Sequence, residues 1–185
     1  DEEANSIGAR HLAKTMDAPD GVIIGEPSGW EGITLGYKGT LRVNYELTKP
    51  AGHSAGKEPS PAEEGIALWN RFVEYAAEFN GDRQPPRFDT LDPALLSITT
   101  QGNGLEDKVA LKISLRIPLG VDGDSLQETI RGWSGHARMT FPFYEPAFRA
   151  DKNSPVVRAL LRAIRQVEGR PRFKLKTGTS DMNII

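Results

Sequence analysis

Cysteine is absent from this 185-residue chain, which excludes a disulfide framework, a thiolate metal site and a cysteine nucleophile, and fits a reducing compartment such as the cytoplasm. Long apolar runs are missing too. The longest, around Gly21 to Gly25, falls far short of the roughly 20 residues that cross a bilayer, so no membrane span is expected. Histidine is scarce, with only three residues, and any metal must therefore be held by carboxylates together with His11, His53 or His136. A strong charge of one sign is lacking as well, since 23 Lys and Arg nearly balance 25 Asp and Glu. With 38% hydrophobic and 26% charged residues, the composition excludes bulk disorder, collagen and coiled coil and suits one ordinary globular domain or two small ones. The chain opens on Asp1-Glu2-Glu3 with no initiator methionine, signal-type region, preceding strand or cap, and reads as picked up in mid-fold.

The near-neutral total hides an asymmetry. Residues 131–176 hold 11 Lys or Arg against 3 Asp or Glu, whereas the first 31 residues hold 7 acids against 2 bases. The basic segment has no aromatics interleaved for base stacking and no nucleic-acid motif, so no nucleic-acid partner is expected. A solvated helix face is its plain reading.

Val22-Ile23-Ile24, between Pro19-Asp20-Gly21 and Gly25, has the character of a short strand buried on both faces, with Glu26 at its carboxyl end. Side chains at such strand ends gather around ligands in open α/β sheets. From Leu41 the period becomes two: Leu41, Val43, Tyr45 and Leu47 share one face, and Arg42, Asn44, Glu46 and Thr48 the other. Ser60-Pro61-Ala62-Glu63 is a capping box with proline at the first helical position. It predicts a helix with Ile66, Trp69, Phe72, Val73, Ala76 and Phe79 inward and Gly81 as its stop. Leu96 and Ile98 suggest a strand, and Val109, Leu111, Ile113, Leu115 and Ile117 a second. Ser125 to Glu128 repeats the capping box ahead of Ile130 and Trp133, and Met139, Phe141 and Phe143 alternate again.

The order from about Thr40 to Tyr144 is therefore β-α-β-β-α-β, two helices over one face of a four-stranded ferredoxin-like sheet. Asn153 or Ser154 then caps a helix that turns Val156, Leu160, Leu161, Ile164 and Val167 inward and Arg158, Arg162 and Arg165 outward. Arg172 to Lys176 reads as a strand leading into the small-residue loop Thr177-Gly178-Thr179-Ser180-Asp181. This is an α+β unit, residues 40–144, inserted between residues 1–39 and 145–185 of an incomplete α/β layer. The insert buries enough surface to fold alone, and the outer pieces do not.

Glu2-Glu3 is the sharpest chemical clue. Neighbouring carboxylates can diverge, one holding a cation while the other serves as general base, a division that hydrolytic metal sites require. Alone, such a pair is an ordinary charged helix start. Its weight comes from the blocks around it: Asp1-Glu2-Glu3-Ala4 with Gly8-Ala9-Arg10, then Ile24-Gly25-Glu26-Pro27-Ser28, Gly52-His53-Ser54-Ala55 and Thr177-Gly178-Thr179-Ser180-Asp181. In order and spacing the chain resembles the acetylornithine deacetylase and succinyl-diaminopimelate desuccinylase family of dinuclear zinc hydrolases. The longer stretches Gly25 to Gly39 and Phe173 to Asn183 resemble the branch that frees lysine or ornithine from an amino-group carrier protein in lysine and arginine biosynthesis.

The resemblance implies two zinc ions per active site, replaceable by cobalt. It implies Glu2 as general base, Glu3 and Glu26 as metal ligands, and His53 as the group that polarises the scissile carbonyl in a partner subunit's site. Arg116 would meet the substrate carboxylate, and Thr177, Gly178, Thr179 and Ser180 would line the pocket. The βαββαβ unit becomes a lid that also forms a homodimer, and the carrier substrate is an acidic protein which the basic 131–176 stretch would steer. The chain departs from the family in two respects. The Asn-x-x-Pro expected ahead of the Arg116 strand is replaced near Leu105-Glu106-Asp107-Lys108. Three of the five expected zinc ligands fall before Asp1 or after Ile185, so the 185 residues alone are expected to bind zinc poorly and to be inactive. His11 and His136 lie outside the family motifs and read as surface residues.

Other readings stay open at this point. N-acetyl-lysine or N-acetylornithine deacetylation and desuccinylation use the same residues. Ser54-x-x-Lys57 and Lys176-Thr177-Gly178 match two motifs of penicillin-recognising serine acylases, but Ser54 sits in a Gly- and Pro-rich loop and no Ser-x-Asn element lies between the motifs. A non-catalytic dimerisation module would leave the Glu-Glu, Gly-Glu-Pro-Ser and Gly-His blocks without a purpose.

Overall fold

The computed structural model describes residues 6–52, 56, 58–82 and 85–185. The chain divides into two compact units, residues 1–39 with 145–185, and residues 40–144.

In the unit 40–144, strands β2 (Gly39–Pro50), β3 (Asp92–Gly102), β4 (Glu106–Ile117) and β5 (Arg138–Glu145) form one sheet in the order β3-β4-β2-β5. Strand β4 lies between β2 and β3, which helix α2 (Pro61–Asn80) connects, and helix α3 (Gly123–Arg131) connects β4 to β5. This is the βαββαβ arrangement of a ferredoxin-like fold. Leu41, Val43, Tyr45 and Leu47 of β2 and Val109, Leu111, Ile113, Leu115 and Ile117 of β4 are buried in one cluster, because alternate residues of a strand share a face. Leu68, Phe72 and Ala76 of α2 and Leu126 and Ile130 of α3 close that cluster from the helix side. Trp133 packs edge-on against Phe72 and Tyr75, with ring centroids 5.1 and 5.3 Å away.

Helix α2 begins as its capping box dictates. The Ser60 hydroxyl accepts from the Glu63 N–H, and the Glu63 carboxylate accepts from the Ser60 N–H at 2.7 Å. Its inward face matches the expected one in part: Phe72 and Ala76 are buried and Trp69 packs against the core, but Gly65 and Leu68 complete the stripe, while Ile66, Val73 and Phe79 face outward. Apolar residues on more than one side of the helix let two stripes compete, and the one containing Gly65 allows the closer approach. A Cβ at Gly65 would stand 2.9 Å from a Leu111 methyl. Helix α3 also starts earlier than expected. Asp122, not Ser125, is its cap and accepts the Ser125 N–H at 2.9 Å, since a carboxylate at that position is the stronger acceptor.

The other unit has a three-stranded sheet in the order β6-β1-β7, built from β1 (Gly32–Tyr37), β6 (Phe148–Arg149) and β7 (Arg172–Lys176). Strand β7 runs parallel to β1, with Gly32 opposite Arg172 and Tyr37 opposite Lys176, and β6 runs antiparallel to β1. Helix α4 (Pro155–Gln166) lays Val157 and Ile164 on Ile33 and Leu35. Its cap is Ser154, which accepts from the Val157 N–H. The helix stops at Gln166, so Val167 leaves the inward stripe and is 65% exposed. Helix α1 (Ile7–Thr15) is anchored by the ion pair of Arg10 with the buried Glu145. Val22-Ile23-Ile24 is not a buried strand: it has no regular structure, and Ile23 is 67% exposed. No neighbouring strand among the described residues offers it a ladder, and without one an extended run neither pairs its main chain nor buries both faces.

Candidate functional site

The segment from Glu26 to Glu31 carries the candidate ligand Glu26 and lies outside the strands, and side chains fix it instead. Lys174 and Lys176 stand two apart on β7 and so point the same way. Lys176 donates from Nζ to the carbonyl of Pro27 at 2.6 Å, and Lys174 to that of Ser28 at 2.5 Å. The Lys176 ammonium also lies 5.4 Å from the centroid of the Tyr37 ring. The hydroxyls of Ser28 and Thr34 are 2.7 Å apart. Glu31 accepts from Arg170 N–H through its carboxylate at 2.6 Å and from Arg172 N–H through its carbonyl at 2.8 Å. A Cβ on Gly32 would fall 2.1 Å from the Ser28 carbonyl oxygen, so only glycine permits this close approach.

Because Thr177 follows Lys176, these bonds bring the Glu26 turn beside the start of the Thr177–Ser180 loop. Within that loop Gly178, Thr179 and Ser180 are half-buried and Thr177 is exposed. The loop ends in a single 3₁₀ turn, Asp181–Asn183, where Ser180 Oγ accepts from Met182 N–H at 3.2 Å and Asn183 Oδ1 from Ser180 N–H at 2.9 Å. A cavity of about 640 Å³ opens alongside, walled by Glu26, Thr34, Tyr37, Trp30, Phe148 and Leu160 among others. The Tyr37 hydroxyl is buried there without a hydrogen-bond partner among the described residues.

The half-buried Glu26 carboxylate has no ion-pair partner among the described residues. A free oxygen donor on a fixed turn suits one position of a divalent-cation site. Glu2, Glu3 and His53 lie outside the described residues, and among the described residues no group of three or more metal-type side chains is present. His11 and His136 are both exposed.

Arg116 belongs to the unit 40–144. It stands on β4 opposite Asp92 of β3, half-buried. Burial, and then the charge of Arg42, lower its guanidinium from the ordinary arginine range, as an apolar setting and a like charge both disfavour the cation.

Residues 1–185 match the family described as peptidase family M20/M25/M40. The chain belongs to that family. Among similar proteins, the LysW-lysine hydrolase of Deinococcus radiodurans is 39% identical over 189 residues, covering all of this chain and 52% of that one. A putative LysW-lysine/LysW-ornithine hydrolase of Thermococcus kodakarensis is 34% identical over 186 residues, covering all of this chain and 47% of that one. An M20 metallo-carboxypeptidase of Sulfolobus solfataricus shares the fold, with a TM-score of 0.65 at 15% identity over 87% of this chain and 57% of that one. This M20 chain thus spans about half the length of the curated relatives it matches.

Lys174, Lys176, Glu31 and Asn183 were not among the residues expected at the site of this M20 chain. The Lys-x-Lys alternation does place both ammoniums on one side of a strand, but nothing local shows that their partners are carbonyls about 150 residues earlier.

Proposed function

We propose that this chain is part of a zinc-dependent amide hydrolase that frees lysine, or ornithine, from the γ-glutamyl end of an amino-group carrier protein in the cytoplasm. The observation that carries this reading is the match over the full chain at 39% identity to a LysW-lysine hydrolase. Geometry supports it: the Glu26 turn and the Thr177–Ser180 loop, both expected at the site, lie side by side through the Lys176 to Pro27 bond.

Two zinc ions, or cobalt in their place, would polarise the scissile carbonyl and acidify the attacking water. Glu3 and Glu26 would hold metal through their carboxylates. Glu2 would take the proton from the water and pass it to the departing amine. His53 would donate to the developing oxyanion, Arg116 would pair with the substrate carboxylate, and Thr177 to Ser180 would line the pocket. The unit 40–144 would act as lid and dimer contact. In support, β3 is the last strand of its sheet, and Leu96 and Ile98 on it, with Ile66 and Val73 on α2, are outward apolar side chains that a second copy would cover.

The test is hydrolysis of the carrier-lysine amide by the protein as its gene encodes it. Turnover is expected only with zinc or cobalt, and Glu2→Gln should abolish it while metal is retained. Metal-independent turnover would overturn the class of reaction, and an active Glu2→Gln variant the assignment of the base. A preference for N-acetyl-lysine over the carrier conjugate would turn the assignment to the deacetylase reading.

A further inference from the structure

We propose that Lys174 and Lys176 are positioning residues of the active site: their ammonium groups hold the main chain that follows Glu26 against the Thr177–Ser180 loop and so aim the Glu26 carboxylate. This rests on the reading of Glu26 as a metal ligand.

The partners of the two lysines carry the inference. A lysine near a glutamate ordinarily pairs with it, and Glu26 is adjacent to Pro27. Lys176 instead donates to the Pro27 carbonyl at 2.6 Å and Lys174 to the Ser28 carbonyl at 2.5 Å, and the Glu26 carboxylate keeps its oxygens. Both ammoniums are spent on the backbone of the two residues after the carboxylate, the place where a turn's direction is set. Near Glu26 itself the main chain contributes little, the Glu26 N–H to Ile24 carbonyl bond at 2.9 Å being local. An irregular segment has no ladder to hold it, so the side chains that reach it determine where its carboxylate points. The Tyr37 ring face also restrains the Lys176 ammonium, 5.4 Å from its centroid. Gly32 lets the Ser28 carbonyl come close enough to meet Lys174, whose Cε a Cβ at Gly32 would also approach to 3.1 Å. Strand β7 therefore does two things with alternate residues: its backbone pairs with β1, and its two lysines fix the turn that carries the ligand. Groups that orient a metal ligand from behind contribute to metal affinity although they never touch the ion.

The experiment measures zinc affinity by chelator competition, alongside thermal unfolding of the metal-free protein, in the protein as its gene encodes it. Lys176→Met is expected to weaken one zinc by roughly 10- to 100-fold with the metal-free unfolding temperature unchanged. Lys174→Met, at an exposed position, should weaken it less. Lys176→Arg should restore most of the affinity, because a guanidinium can donate to the same carbonyl. Wild-type affinity in both methionine variants, while Glu26→Gln loses metal, would overturn the positioning role. A fall in the metal-free unfolding temperature that tracks the affinity loss in both variants and is not rescued by arginine would overturn it as well. Undiminished affinity in Glu26→Gln would remove the underlying reading instead.

Discussion

Asn183 donates from its side-chain amide to the carbonyl of Pro146 at 2.8 Å. The same nitrogen reaches the Lys38 carbonyl at 3.3 Å, and the amide oxygen accepts from Ser180 N–H at 2.9 Å. Lys38 and Pro146 flank the two points where the chain passes between its compact units, after Gly39 and before Glu145. One primary amide, with two donor hydrogens and an acceptor oxygen, ties the backbone beside both points to the end of the Thr177–Ser180 loop.

Removing that amide should be costly. Asn183→Ala is expected to lower stability by about 1–3 kcal/mol, since the partly buried Lys38 carbonyl and Ser180 N–H lose their bonds, while the exposed Pro146 carbonyl can turn to water. Asn183→Asp should cost at least as much, because it keeps an acceptor for Ser180 but turns a carboxylate toward two carbonyl oxygens. Urea denaturation checks both, and a change below about 0.5 kcal/mol in either variant would contradict this account.

Arg116 is held half-buried beside Arg42, where both burial and the like charge work against its cation. If Arg116 meets the substrate carboxylate as proposed, that anion favours the cation. Arg116→Met should therefore raise KM for a small acyl-lysine by roughly 10- to 100-fold, the loss of one charged hydrogen-bonded pair, with kcat changed far less. A fall in kcat at constant KM would place Arg116 elsewhere in the reaction.

Two helix caps are expected to make the stability of the unit 40–144 depend on acid pH. Hydrogen bonds from the Ser125 side chain and N–H hold the Asp122 carboxyl below its usual range, and the Ser60 N–H and hydroxyl do the same for Glu63. A carboxyl whose folded pKa is depressed stabilises fully above its unfolded value, and that contribution disappears as pH falls through the folded one. Stability should therefore drop as pH falls below about 4, and Asp122→Asn with Glu63→Gln should flatten the drop. Circular dichroism melts between pH 2 and 6 report it, and equal slopes in wild type and variant would refute the caps as the source.

Arg158, Arg162 and Arg165 lie on one exposed face of α4, at spacings of four and three residues, and the helix carries no acidic residue. If this stripe steers an acidic carrier, rising salt should lower kcat/KM for the carrier substrate much more than for a small acyl-lysine. Equal salt dependence would remove the steering role.

Much of the unit 40–144 is legible from local pattern. The alternation in β2 and β4 decides which side chains go inward whatever lies opposite, and Ser60-Pro61-Ala62-Glu63 starts a helix through bonds that span three residues. Local pattern failed where two answers were chemically close. Helix α2 has apolar residues on more than one side, and the choice of Gly65 and Leu68 over Ile66, Val73 and Phe79 beside the expected Phe72 and Ala76 came from the sheet beneath it. Asp122 outcompeted Ser125 as a cap by three residues. Val22-Ile23-Ile24 has a strand's composition, but a strand exists only when a neighbour pairs with it. At the candidate site, Glu26 and the Thr177–Ser180 loop are legible as motifs, while Lys174 and Lys176 are legible only as members of the strand Arg172 to Lys176.

Residue types and their spacing thus determine most elements of the βαββαβ unit and exclude thiolate chemistry in this cysteine-free chain. Proximity is different, because the bond from Lys176 to Pro27 joins residues 149 positions apart. No local signal ranks one carbonyl above another as the partner of a lysine. Folding does so by setting β7 parallel to β1, which leaves the Glu26 turn the backbone within reach of its ammoniums.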